Sequence, residues 1–201
     1  MSNITSLELP ETPTITEPLK RRLLRRRSQA WALIFSLALA LSIMLAVLLC
    51  GGVLFYDGPL LSFGPGGIWI GLAPEDAAGL LPLTAFSSSQ RQLGAVAVAL
   101  LAMPAIFILF HLRRLFRLYA EGVVFARANA RHLKFVGLGL VLYAFAPLVA
   151  NRLVMFAGVT NDPVWFHFDE VMALLLGALL FVVADVMEFG REIELDRDGF
   201  V

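Results

Sequence analysis

From Trp31 to Phe55 the chain runs without a charged residue, and at about 1.5 Å per residue a helix of that length crosses the roughly 30 Å hydrocarbon core of a bilayer. Lipid offers the backbone no hydrogen-bond partner, so a segment of this kind must satisfy its own amides as a helix. Three later segments are also strongly apolar: Leu93–Phe110 without a charge, and Phe135–Phe156 and Val171–Met187 with one each, Arg152 and Asp185. The expected spans are therefore about 30–55, 93–111, 135–156 and 171–187. Composition agrees: 59% hydrophobic and 16% charged residues exceed the roughly 45–50% apolar share of soluble domains. Mean hydropathy is +0.79. Cys50 is the only cysteine, so no internal disulfide forms.

The connector between the second and third segments sets the orientation. Arg113, Arg114, Arg117, Arg127, Arg131 and Lys134 against Glu121 leave it at +5, which in a short loop places it on the cytoplasmic side. Lys20, Arg21, Arg22, Arg25, Arg26 and Arg27 precede the first span and give the same sidedness. Both termini are then cytoplasmic. The predicted fold is an all-α membrane protein, a four-transmembrane-helix antiparallel bundle with an extracytoplasmic loop, carrying a short β-hairpin, between helices 1 and 2. Residues 1–29 read as a disordered basic tail and 188–201 as an acidic cytoplasmic tail. A cleaved signal peptide is the rival for the first segment, with Ala38-Leu39-Ala40 as the cleavage site, but the apolar run is longer than the roughly 7–15 residues of a signal core.

In the first outer loop, Leu60–Phe63 and Ile68–Ile70 flank Gly64-Pro65-Gly66-Gly67, the pattern of a hairpin, with Phe63 and Trp69 expected at headgroup depth. Pro74-Glu75-Asp76 reads as a short helix start. Ser87-Ser88-Ser89 is expected to cap the second span. The second outer loop holds a turn at Thr160-Asn161-Asp162-Pro163 and an interfacial Trp165-Phe166 pair. Small residues form stripes that let helices approach: Ala95, Ala99 and Ala102; Gly139, Tyr143, Ala146 and Ala150; Ala173, Gly177 and Ala184.

Leu112, Leu115, Phe116 and Tyr119 fall at i, i+3, i+4 and i+7, so the second helix should continue past the bilayer with its arginines on the other face. Gly122 should end it in a left-handed cap. Arg127, Arg131 and Lys134 then form one stripe on the third helix. The candidate interaction surface comprises Arg113, Arg114, Arg117, Tyr119, Gly122, Phe125, Arg127, Asn129, Arg131 and Lys134. It suits anionic lipid or an acidic protein segment. The acidic tail, with Glu188, Glu192, Glu194, Asp196 and Asp198, nets −3 between Glu188 and Asp198 and is a candidate latch over that surface.

Leu115-Phe116-Arg117-Leu118-Tyr119, Gly122, Phe125 and Asn129, with Gly177, Ala184-Asp185-Val186, Gly190, Glu192 and Glu194, resemble the bacterial membrane proteins grouped as domain of unknown function 2975. The resemblance covers the chain from about Trp31 onward. It implies four spans in a bacterial cytoplasmic membrane and no established activity; family members are often encoded beside a small helix-turn-helix regulator, which implies such a partner. Ala126 stands where a capping Ser or Thr would suit the motif.

Candidates for chemistry are few. Arg152 and Asp185 lie near span ends, where they can snorkel, and no second mid-depth charge completes a relay. Asp162, His167, Asp169 and Glu170 form the one metal-like group, without paired-histidine helical spacing. His111 and His132 flank the connector as solvated interfacial residues. No nucleophile elbow, phosphate-binding glycine loop or nucleotide fingerprint occurs, and no cofactor is implied. Direct nucleic-acid binding is not expected, because the basic residues are held at the bilayer. The expectation is a non-enzymatic interaction or regulatory membrane protein, with a small transporter or channel subunit as the alternative.

Overall fold

Each apolar segment is helical, and each helix runs past its segment where strong helix formers follow. The computed structural model describes residues 16–64, 67–72, 79–123, 126–159 and 168–198. Among these lie α1 (Thr16–Phe55), α2 (Ser88–Ala120), α3 (Arg127–Phe156) and α4 (Phe168–Asp198), all long and apolar enough to cross a membrane. The N-terminal region differs from the irregular tail expected over residues 1–29, because α1 already begins at Thr16. Pro18 falls in the first turn, where its missing amide costs nothing. Leu, Lys, Arg, Gln and Ala then extend a helix that the apolar segment has already nucleated.

The helices pack in sequence order. α1 lies along α2, α2 along α3 and α3 along α4, antiparallel at each seam. Cys50 Sγ sits 3.6 Å from the Ala95 carbonyl at one end of the first seam, and the Phe35 and Phe116 rings are 5.2 Å apart at the other. Helices that are not sequence neighbours share no comparable contact among the described residues. The set is therefore an open row with α1 and α4 at its edges. Among the described residues, α1 buries a narrow stripe of Ser28, Ala32, Leu39 and Val53. Leu33, Leu37, Leu41 and Val47 remain exposed, as a helix facing hydrocarbon must leave them.

The small-residue stripes are met in part. Ala173, Gly177 and Ala184 are all buried, as expected. On α2, Ala95 is buried but Ala99 is exposed, with Gly94, Ala97 and Val98 turned inward instead. On α3, Gly139 and Ala150 are buried, Tyr143 is exposed, and Gly137 and Ala144 complete the face. Segments apolar all round carry little periodic signal, so the crossing point decides which small residues are covered.

At the end of the row away from the connector, β1 (Leu61–Gly64) and β2 (Gly67–Ile70) form the expected hairpin. They are antiparallel, with Leu61 opposite Ile70 and Phe63 opposite Ile68. A third strand, β3 (Leu81–Pro82), adds to the other edge of β1, giving the order β2-β1-β3. Trp69 is half exposed, but Phe63 is not at a surface. It is buried with Val53, Leu83, Phe86, Ala95, Val98 and Val159, its ring 5.5 Å from Phe86. The hairpin folds down over the helix ends, and an apolar ring placed there gains more from full burial than from an interface. The helix start at Pro74, the turn at Thr160–Pro163 and the Trp165-Phe166 pair lie outside the described residues.

α2 starts at a capping box: Ser87 accepts from the Gln90 amide and Gln90 reaches back to the Ser87 amide. Gln90 also donates through Nε2 to the Ala157 carbonyl at 3.0 Å, tying α2 to the end of α3. Arg91 donates to the Leu83 carbonyl at 3.0 Å and the Tyr56 carbonyl at 3.3 Å and pairs with Asp57. One side chain thus ties the chain just after α1 and the turn just after β3 to α2.

Candidate interaction site at the connector end

α2 continues past its apolar segment because Leu112, Leu115, Phe116 and Tyr119 share the face turned to α1. Leu115 is buried. The Phe116 ring lies 6.3 Å from Trp31, 5.2 Å from Phe35 and 5.8 Å from Tyr119. Arg114 and Arg117 are exposed, and the Arg114 guanidinium sits 5.5 Å above the Phe110 ring, a cation–π contact. Gly122 ends the helix at φ +85°. Its amide donates to the Tyr119 carbonyl at 3.1 Å and the Val123 amide to the Leu118 carbonyl at 2.9 Å, the paired bonds of a Schellman motif.

The predicted surface residues do not all face outward. Asn129 is fully buried and donates through Nδ2 to the Val123 carbonyl at 2.7 Å, so it braces the connector instead of meeting a partner. Tyr119 is half-buried against Phe116. Phe125 lies outside the described residues. Ala126 stands at the N-cap of α3 with no side-chain hydrogen bond. Arg114, Arg117, Arg127 and Arg131 remain exposed and have no carboxylate partner among the described residues.

The two histidines correct the sequence expectation of solvated interfacial residues. His111 is 8% exposed, and its Nδ1 lies 3.0 Å from Nδ1 of His132. Phe107, Phe135 and Phe110 surround it at ring distances of 4.5, 4.6 and 5.2 Å. Their spacing, 21 residues apart across a loop, carried no signal that α2 and α3 would bring them together.

Lys134 joins α3 to α4. Its Nζ lies 2.8 Å from Asp185 Oδ1 and 3.1 Å from Glu188 Oε2. Asp185, read as snorkelling, therefore has a specific partner. Of the acidic tail residues, Glu188 makes this contact from a continuous α4, and Glu192 is exposed without an ion pair among the described residues. The side chains of Glu194, Asp196 and Asp198 lie outside the described residues.

Between α3 and α4 opens a cleft of about 440 Å³ lined by Arg127, Ala128, Arg131, Lys134 and Glu188. No group of three metal-ligating side chains occurs among the described residues; Asp162 and His167 lie outside them. Arg152 is exposed near the opposite end of α3.

Four apolar helices long enough to cross a bilayer define a multi-pass membrane protein. A family model described as Protein of unknown function (DUF2975) matches residues 70–199, and the chain belongs to that family. The match spans α2, α3 and α4 with the loops between them. No curated protein and no solved structure matches the chain.

Proposed function

We propose that this protein is a non-enzymatic interaction or regulatory protein of a bacterial cytoplasmic membrane, with both termini and the connector end on the cytoplasmic side. The observation that carries the reading is the set of four exposed arginines, Arg114, Arg117, Arg127 and Arg131, without a carboxylate partner among the described residues. Positive charge concentrated at one end of the row supports the orientation. A solvated basic surface held beside a membrane attracts an acidic partner and raises its local concentration. The family resemblance points to a small soluble regulator as that partner. The acidic residues from Glu188 to Asp198 would compete with it for the arginines, a weak and salt-screened restraint that a partner displaces.

Reporter fusions after Arg27, Ser88, Glu121, Asp162 and Val201 test the sidedness and should read in, out, in, out, in. An outside signal at Glu121 would end the proposal. Purification of the intact protein from native membranes, with identification of what accompanies it, tests the interaction. The same partner should be lost when Arg117 and Arg131 are both changed to Glu.

A further inference from the structure

We propose that the cleft between α3 and α4 binds the phosphate group of an anionic phospholipid. The proposal deepens the reading of the connector end as a cytoplasmic, membrane-adjacent surface and rests on it.

The lining has the chemistry of a phosphate receptor. Arg127, Arg131 and Lys134 fall at i, i+4 and i+7 on one face of α3, a row of about 10 Å along the helix. Ala128 lies beside them, and among the described residues Glu188 is the one acid in the lining, so these side chains sum to +2. Asp185 and Glu188 hold Lys134 in place, while Arg127 and Arg131 have no carboxylate partner among the described residues. Two planar guanidinium forks fit the oxygens of a phosphate better than a point charge does. The volume of about 440 Å³ lies in the range of small-ligand sites and admits a headgroup.

Position favours a lipid as the source of that phosphate. Phe135 and the apolar face of α3 begin immediately after Lys134, so the cleft straddles the level where hydrocarbon gives way to water. A phospholipid carries its phosphate at that depth with its chains already in the hydrocarbon. A soluble anion must be brought there without help from the acyl chains.

The test uses the full-length protein in a neutral detergent, with bound lipid counted by native mass spectrometry. The probes are phosphatidic acid, phosphatidylcholine, inorganic phosphate and a glutamate-rich peptide. Phosphatidic acid should be retained in preference to phosphatidylcholine, with inorganic phosphate and the peptide weak competitors. Arg127→Gln and Arg131→Gln should each weaken retention about fivefold, and Arg152→Gln, exposed at the opposite end of α3, should leave it unchanged. Glu188→Gln should strengthen retention, because it removes a negative charge from the lining. That increase cannot come from misfolding. Equal retention of phosphatidylcholine, an unchanged affinity in the Arg127→Gln, Arg131→Gln double variant, or a loss in Glu188→Gln would overturn the proposal. Inorganic phosphate or the peptide binding as tightly as phosphatidic acid would overturn the lipid as occupant. Sidedness is read separately by the reporter fusions, so failure of lipid binding and failure of the orientation are distinguishable.

Discussion

Gly137 and Gly177 face each other across the α3–α4 seam so closely that a Cβ on either would lie 2.9 Å from the other's carbonyl oxygen. That clearance is below what real Cβ atoms show, and the obstacle is backbone, which cannot rotate away. The approach holds α3 against α4 and so sets the spacing at which Lys134 meets Asp185 and Glu188. Gly177→Val should force the seam apart and destabilise the protein by about 1–3 kcal/mol, measured as a lower denaturation midpoint in detergent. Gly190→Ala, where an added Cβ meets nothing within 4 Å, is the control and should hold or slightly raise the midpoint, because alanine is the better helix former.

The His111–His132 contact depends on proton count. A hydrogen bond between two Nδ1 atoms needs a hydrogen on one and a lone pair on the other, so it exists only while at least one ring is neutral. Burial, and after it the positive charge of Arg131 and Arg114, lowers the proton affinity of His132, which opposes its protonation. The contact should be present at about pH 8 and lost as the pH falls toward about 5, taking with it about 1 kcal/mol. Thermal midpoints across that range should fall on the acid side for the native protein. His132→Gln should flatten the profile; an unchanged profile would refute the shared-proton contact.

Arg91 and Asp57 separate a structural hydrogen bond from a surface ion pair. The Arg91 side chain is 14% exposed and Asp57 79%, so the pair itself is screened by water and Asp57→Asn should cost less than about 1 kcal/mol. Arg91→Ala also abandons the carbonyls of Tyr56 and Leu83 and should cost about 2–3 kcal/mol. Protease sensitivity of the β1–β2 hairpin, compared between the two variants, checks the difference.

Gly122 holds φ +85°, a conformation that costs other L-residues about 1–2 kcal/mol. Gly122→Ala should loosen the α2–α3 connector and speed trypsin cleavage near Arg117 and Arg127. Asn, which tolerates the left-handed region, should be milder at the same position. Identical cleavage of both variants and the native protein would show that the Schellman bonds contribute nothing.

Much of this protein followed from local chemistry. Apolar runs of membrane length form helices, because lipid cannot satisfy a backbone amide, and a Gly-rich turn between apolar pairs folds as a hairpin for equally local reasons. The end of α2 at Gly122 and the helical continuation through Phe116 were legible in the same way, since both depend on residues within two turns of one another. The start of α1 at Thr16 was missed because helix propensity after Pro18 adds to a helix nucleated further along the chain. Tertiary structure alone decided which small residues are covered, because helices apolar on every side leave the choice to the crossing point, as Gly137 and Gly177 show. It also decided what the polar groups near the span ends do. Asp185 and Lys134 are 51 residues apart, His111 and His132 are divided by a loop, and Asn129 turns inward to the Val123 carbonyl. No spacing in the chain encodes those meetings; they follow from the antiparallel register of α2, α3 and α4, which is set when the helices pack.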